Sequence, residues 1–252
     1  MPSKPYGILC PIIRASELLE PRWTIPILCA LWSGATKFNE LRREVGNISP
    51  ALLSKRLKEM EEAGLVERID DKATGSVDYL RTKSAIALEP ALNGLAYWAQ
   101  QHIEAEDIAC DFTARNLMWD LRGRIDVDNL PNRRVVLQFH FSEDLEYDTY
   151  WALVQAGGPV EICTVIPGYD VDLFIETNTI SLAGILLGRS TIARETELGE
   201  LFLSGDAVIG RTMDRWLKIS EYAQIDRIRT LPDDRINNDP LRELPPKLRA
   251  AG

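Results

Sequence analysis

Between Thr36 and Asp70 the chain reads TKFNELRREVGNISPALLSKRLKEMEEAGLVERID, with apolar residues at helical spacing on both sides of a Gly-Asn-Ile-Ser-Pro break. Phe38, Leu41 and Val45 recur three and four residues apart, so they line one face of a helix from about Lys37 to Val45. Gly46 and Asn47 both tolerate the left-handed backbone that ends helices. Ser49 then serves as an N-cap, with Pro50 at the first helical position. In the second helix Leu52, Leu53, Leu57 and Met60 point inward, which leaves Ser49, Ala51, Ser54, Lys55, Arg56 and Lys58 on or near the outer face. Gly64 ends it. Two short helices joined by a tight turn, the second with a small and cationic outer face, make a helix-turn-helix of the kind that enters a DNA major groove.

The charge pattern narrows the contact. Thr36–Lys58 holds six Lys and Arg (Lys37, Arg42, Arg43, Lys55, Arg56, Lys58) against two Glu (Glu40, Glu44). Glu59, Glu61 and Glu62 follow and repel phosphate, so only the N-terminal half of the second helix suits a groove. After Leu65 and Val66, alternation through VERIDDKATGSVDYLRT predicts a hairpin turning near Ala73, Thr74 and Gly75, the place of a wing. A cationic helix face standing alone reads equally well as an ordinary solvated surface. The succession of helix, turn, capped helix and hairpin favours DNA.

With those residues in view, the chain from Cys10 to about Ile103 resembles the HxlR-type winged helix-turn-helix regulators. The resemblance rests on Cys10, Trp23, the FNEL of Phe38–Leu41, Ile48 with Ser49, the string LSKRLKEMEEAGLVER, Tyr79 with Thr82, and then Leu88, Pro90 and Trp98. It implies a transcription factor that binds a palindromic operator in double-stranded DNA as a homodimer, with the Ser49 helix as recognition element and the outermost helices as dimer interface. Pro21 and Arg22 stand where the family has a glycine-lysine pair, which passes a phosphate contact to Arg22, and Ser84 and Ala85 replace a glycine expected soon after Thr82. Lys37, Ser49, Pro50, Ala51 and the wing's Lys72 complete the expected DNA surface. Arg56 and Ser54 are the expected base readers, and Lys55, Lys58 and Lys72 the phosphate contacts. Some relatives sense oxidants through an N-terminal cysteine, which makes Cys10 the candidate sensor, with Arg14 one turn on as the cation that would lower its thiol pKa. The other reading of Cys10 is a small buried residue.

A length of 252 residues exceeds what one winged helix needs and predicts a second domain of comparable size. Residues 1–104 carry 13 of the 29 Lys+Arg and 13 of the 38 Asp+Glu, so the whole net charge of −9 belongs to the remainder. Leu88, Leu92, Leu95, Ala99 and Ile103, with Trp98 beside them, form an apolar stripe that suits a dimer interface or packing within its own domain. The acidic residues from Glu104 to Asp107 are the expected hinge, and a helix over about Phe112–Leu121 leads onward. The expected domains are 1–108 for DNA binding and dimerisation, 109–230 for an α+β domain, and a flexible tail from 231 to 252.

From Val135 the pattern turns to strands: VVLQFHF, DTYWALVQAGG, VEICTVIP and VDLFIET in succession, which predicts a largely antiparallel sheet. TISLAGILLGR, TIARETELGE and SGDAVIGRTMDRWLKISEYA then read as helices, with LFL before Ser204 as the last strand. Strands followed by helices define an α+β fold. On VDLFIET, the Leu-Gly-Arg of Leu187–Arg189, Gly199, the LSGD of Leu203–Asp206, Trp216 and Leu217, the stretch from about Val127 to Ala223 resembles the sterol carrier protein fold. That resemblance implies an apolar tunnel for a small hydrophobic effector, lined by Phe139, Phe141, Trp151, Phe174, Ile180, Leu186 and Trp216; the plainer reading is that these residues fill a core. Asp172 is expected at a strand edge and Asp206 at a helix N-cap.

No enzyme signature emerges: Walker, GxSxG and GxGxxG patterns are missing, and His102 and His140 stand apart from any cysteine or paired-carboxylate spacing, so neither a metal site nor another cofactor is expected. Cys10, Cys29, Cys110 and Cys163 show no CxxC spacing. No apolar run approaches the ~20 residues of a membrane span, and the N-terminus lacks a signal-peptide core, which together predict a cytoplasmic protein. The competing function is a carrier of lipids or hydrophobic metabolites whose winged helix serves dimerisation or protein contact.

Overall fold

The computed structural model describes residues 6–233 apart from 47, 73–74, 110–111 and 144–146. It divides into two compact units, residues 1–94 and 95–252.

In the first unit, α1 (Pro11–Leu19) is followed by α2 (Thr24–Trp32), α3 (Phe38–Val45) and α4 (Pro50–Glu62). Strands β1 (Val66–Asp71) and β2 (Ser76–Arg81) pair antiparallel, and α5 (Lys83–Ala87) leads to α6 (Glu89–His102). The core is what the periodicity demanded: Leu41 from α3 and Leu53, Leu57 and Met60 from α4 are buried against Ile27 and Leu28 of α2, with Phe38, Val45 and Leu52 packed on the rim. The turn between α3 and α4 also follows the sequence. Gly46 takes φ 82°, Ile48 is buried, and the Ser49 hydroxyl accepts from the Leu52 amide at 3.3 Å. Asn47, Ala73 and Thr74, named for the two turns, lie outside the described residues. α1 buries no residue, and Leu9, Ile12 and Leu18 lie exposed.

In the second unit, α7 (Ala105–Ala109) and α8 (Ala114–Arg124) precede β3 (Val135–Phe141), β4 (Thr149–Val154), β5 (Glu161–Cys163) and β6 (Leu173–Thr177). Then come α9 (Thr179–Leu187), α10 (Ile192–Glu197), β7 (Leu201–Gly205), α11 (Ala207–Arg211) and α12 (Met213–Trp216). The five strands order as β5-β4-β3-β6-β7, with β3 and β6 parallel and every other neighbour antiparallel. The sheet is therefore mixed and the unit α+β. One face, carrying Leu137, Phe139, Phe141, Tyr150, Ala152, Leu173 and Ile175, shares a buried core with Met118, Leu121, Leu182, Ile185 and Trp216 from the helices.

Several boundaries differ from the expectation for identifiable reasons. The expected hinge at Glu104–Asp107 overlaps α7, whose Ala105 is buried in the second core. The compact units part after Gly94, inside α6, rather than at 108/109, because Gln100 and the carbonyls of Ala99 and Ile103 are hydrogen-bonded to Arg189. The helix expected from Phe112 starts at Ala114, since the Thr113 hydroxyl accepts from the Asn116 amide and caps it. Ser204–Ala223 is broken into α11, α12 and a 3-10 turn at Glu221–Gln224. Of the expected flexible tail, Leu231 is fully buried and donates its amide to the Arg189 carbonyl at 2.9 Å; residues 234–252 lie outside the described part. Asp206 takes the place read for it and caps α11 through the Val208 and Ile209 amides, whereas Asp172 stands at the start of β6, an inner strand between β3 and β7, and accepts from the Val136 amide.

Candidate nucleic-acid interface

The outer face of α4 gathers most of the expected DNA surface. Ser49, Pro50, Ala51, Ser54, Lys55 and Lys58 are all exposed at its N-terminal half and middle. Lys55 and Lys58 keep 57% and 77% of their side-chain surface, and their carboxylate neighbours on the same helix, Glu59 and Glu62, sit 3.9 Å away. Such loose pairs at i,i+4 contribute only about 0.3–0.5 kcal/mol and are readily exchanged for phosphate. Arg42 and Arg43 add exposed cations in the last turn of α3. Both belong to the local cationic excess of Thr36–Lys58, and only their exposure on the folded helix marks them as part of the site.

Two expected contacts fall elsewhere. Arg56 lies one step round the helix from the exposed stripe, toward the buried side: its side chain is only 20% exposed, its guanidinium is ion-paired with Glu59, and its Nε is buried. That placement sets the expected base reader at the margin of the exposed stripe. Residue 56 follows Leu53 and precedes Leu57 and Met60, so helical geometry sets it at the margin of the apolar face. Lys37 is also engaged. Its Nζ donates to Asp78 Oδ2 at 2.5 Å and to Ser76 Oγ at 3.3 Å, while the Thr36 hydroxyl donates to Asp78 Oδ1 at 2.8 Å and the Tyr79 amide to the Thr36 carbonyl at 2.8 Å. Lys37 thus fastens the wing's second strand to the start of α3. It remains 41% exposed, and its charge is largely met by Asp78.

The wing itself carries exposed Lys72 near its tip and Arg68 on β1, the latter held by Asp70 at 2.6 Å. Arg22, in the place of the usual lysine, is exposed with its guanidinium 5.1 Å from the Trp23 ring centroid, a cation–π contact. The Glu40 carboxylate closes the N-terminus of α3 by accepting from the Thr36 and Lys37 amides at 3.1 and 3.0 Å. Those bonds, that to Lys37 first, pull its pKa below the ordinary carboxylate value, with nearby Arg43 and Lys37 adding to the effect.

A model of the HxlR-like helix-turn-helix matches residues 18–107. The chain is similar to the uncharacterised HTH-type transcriptional regulator YvaP of Bacillus subtilis (strain 168), 33% identical over 98 residues that make 38% of this chain and 91% of that one. The chain belongs to the HxlR-like helix-turn-helix family. It is likewise similar to the HTH-type transcriptional regulator YodB of the same organism, 31% identical over 105 residues, 41% of this chain and 94% of the relative. The solved structure of the reduced form of the transcriptional regulator YodB from B. subtilis aligns over 38% of this chain and 97% of that one, at 31% identity and a TM-score of 0.36.

The HxlR-like match stops short of the sheet, and there the expected effector residues do not converge. Phe139, Phe141, Leu186 and Trp216 are buried in the helix-covered core, and Ile180 packs against it. Trp151 and Phe174 project from the opposite face, where both stand in register with Gln138; the Trp151 indole donates to Gln138 Oε1 at 3.1 Å, and Phe174 is 44% exposed. Strand alternation puts Phe139 and Phe141 on one face and Trp151 and Phe174 on the other, so only five of the seven share the helix-covered side. Of the expected sensor, Cys10 is half-buried ahead of α1, and Arg14, the cation named for it, is ion-paired with Glu17. Cys110 lies outside the described residues. Of the expected dimer stripe, Leu92 is buried in the first core, whereas Leu95 and Trp98 are each 54% exposed. Among the described residues no group of three His, Cys, Asp or Glu is placed to hold a metal, and no helix is long and apolar enough to cross a membrane.

Proposed function

We propose that this HxlR-like protein is a transcription regulator that reads a palindromic operator in double-stranded DNA as a homodimer, through two copies of α4. The observation that carries the reading is the exposed, cation-bearing N-terminal half of α4, capped by Ser49 and set on a buried Leu53–Leu57–Met60 stripe. Ala51 and Ser54 face outward there and take over the base-reading role from Arg56, while Lys55 meets phosphate. Lys58, Lys72, Arg22, Arg42 and Arg43 meet phosphates. The exposed apolar residues of α1 and of α6, Ile12, Leu95 and Trp98 among them, support a two-fold interface between copies.

The second unit, by its resemblance to sterol carrier proteins, is the control domain. Its effector is a small hydrophobic molecule held on the inner side of the sheet near Phe139, Phe141, Ile180, Leu186 and Trp216, which share that side. The protein works in the cytoplasm by binding alone, without catalysis or a resident cofactor.

A gel-shift titration of the full chain against the DNA upstream of its own gene tests the reading. The expected result is a discrete complex at nanomolar protein whose affinity falls steeply between about 50 and 200 mM salt. Equal affinity for that fragment and for random DNA at every salt concentration overturns it.

A further inference from the structure

Arg189 is the only fully buried basic residue among those described, and no carboxylate neutralises it at hydrogen-bond distance. Burial lowers its pKa, and Glu104 acts in the opposite sense. Four acceptors surround the guanidinium instead. Nε donates to Gln100 Oε1 at 2.6 Å, one terminal nitrogen to the Ile103 carbonyl at 2.8 Å and the Arg229 carbonyl at 3.4 Å, and the other to the Ala99 carbonyl at 2.9 Å. Ala99 lies in the last turn of α6, where its carbonyl also accepts from the Ile103 amide at 3.0 Å, and Ile103 follows directly on the helix, so both carbonyls stand at the negative end of its dipole. A cation is the group such a helix end calls for.

The clamp is reciprocal. Arg189 stands just past the end of α9, where Gly188 adopts φ 73° and the Arg189 amide turns back to the Gly184 carbonyl at 2.8 Å. A Cβ on Gly188 would come within 2.1 Å of Ala223 Cβ and 2.9 Å of its backbone Cα, so the turn that aims Arg189 admits only glycine. From α6, Gln100 answers by donating its amide to the Leu187 carbonyl at 2.8 Å and the Tyr222 carbonyl at 3.3 Å. Two helix C-termini are thereby capped by each other's side chains. The segment from Tyr222 to Leu231 is tied in as well, through Arg229 N to the Gln100 carbonyl and Leu231 N to the Arg189 carbonyl, both at 2.9 Å.

We propose that this Arg189–Gln100 clamp is the point at which the state of the C-terminal unit is imposed on α6, making Arg189 a positioning residue for DNA binding. α9, α6 and the 222–231 segment meet at one cation, so a ligand that shifts the end of α9 has to pull on the last turn of α6 or break the clamp. α6 starts in the DNA-binding unit, where Leu92 is buried, and ends in the clamp. The inference rests on the reading that the full chain binds an operator with α6 at the dimer interface.

The test uses full-length protein and the variants Gln100→Ala and Arg189→Lys, with hydrogen exchange and operator titration on each. Gln100→Ala removes one arm and leaves the cation in place, so it remains informative if Arg189→Lys does not fold. Expected are amide exchange about tenfold faster over residues 96–103 and a matching loss of operator affinity, while the α4 amides exchange as in the wild type. Faster exchange over 96–103 with operator affinity unchanged overturns the proposal and leaves the DNA reading intact. Exchange unchanged over 96–103 overturns it too. Failure of the wild type to prefer the operator removes the DNA reading, and with it the proposal.

Discussion

At the scale of single residues, the three lysines and the arginine of interest are sorted by what each head group already touches. Lys55 and Lys58 have only loose partners at 3.9 Å, whereas Arg56 and Lys37 are spent on Glu59 and Asp78. Replacing Lys58 or Lys55 by Ala is expected to weaken binding to all sequences alike and to reduce the salt slope by about one per residue. A changed base preference at constant salt slope for Lys58→Ala would contradict its assignment to phosphate. Arg56→Ala is expected to act on the fold, lowering stability by about 0.5–1 kcal/mol through the lost i,i+3 pair and stem packing, with base preference retained; loss of discrimination at a single base pair would return Arg56 to the groove. The sequence showed which residues are cationic and which helix carries them. It did not show the head groups' partners, because Asp78 meets Lys37 from 41 residues away and only the folded hairpin brings them together.

Among the elements, α3 and α4 were the most legible, since apolar spacing, glycine, serine cap and proline all gave one answer over a short stretch. Less legible were the seven candidate pocket residues, because alternation along a strand tells that two faces exist and not which one the helices cover. The Ser204–Ala223 run read as one helix because its composition suits one; in the structure Thr212, at φ −103° and ψ 17°, separates α11 from α12. The caps make predictions at this scale. Ser49→Ala is expected to cost about 1 kcal/mol and to reduce operator affinity by fraying the end of α4 that reads DNA, measured by urea unfolding beside a titration. Glu40 gives a pH signature. Its folded pKa lies below its unfolded value because the Lys37 and Thr36 amides bind the ionised form, so its stabilising contribution is complete above the ordinary pKa of about 4.3 and fades as pH falls through the lowered value. The difference in melting temperature between wild type and Glu40→Gln is thus expected to be constant from neutral pH down to about 5 and to shrink below that. A difference that grows on acidification would show that the carboxylate does not hold the start of α3.

For the whole molecule, the question is where one unit ends. Composition puts the border at the acidic stretch after Ile103, where a first part of zero net charge gives way to a part carrying the whole −9. Packing puts it after Gly94, because the end of α6 supplies the acceptors for a buried cation. Charge counting sees the surface, and a buried arginine bound to carbonyls leaves no mark in it. The two borders predict different fragments. A piece of the chain beginning at residue 109 keeps Arg189 but loses Gln100 and the Ala99 and Ile103 carbonyls, which leaves a guanidinium buried with most of its partners gone. That costs about 3 kcal/mol by analogy with breaking a buried ion pair, or about 5–10 °C in melting temperature for a domain of this size. A piece beginning at Leu95 keeps all four acceptors. Thermal unfolding of the two fragments, followed by circular dichroism, is therefore expected to place the longer one well above the shorter, and Arg189→Met is expected to narrow the gap by destabilising the longer fragment more than the shorter. Equal melting temperatures would mean that α6 contributes nothing to the second unit, and that the border read from composition is the physical one.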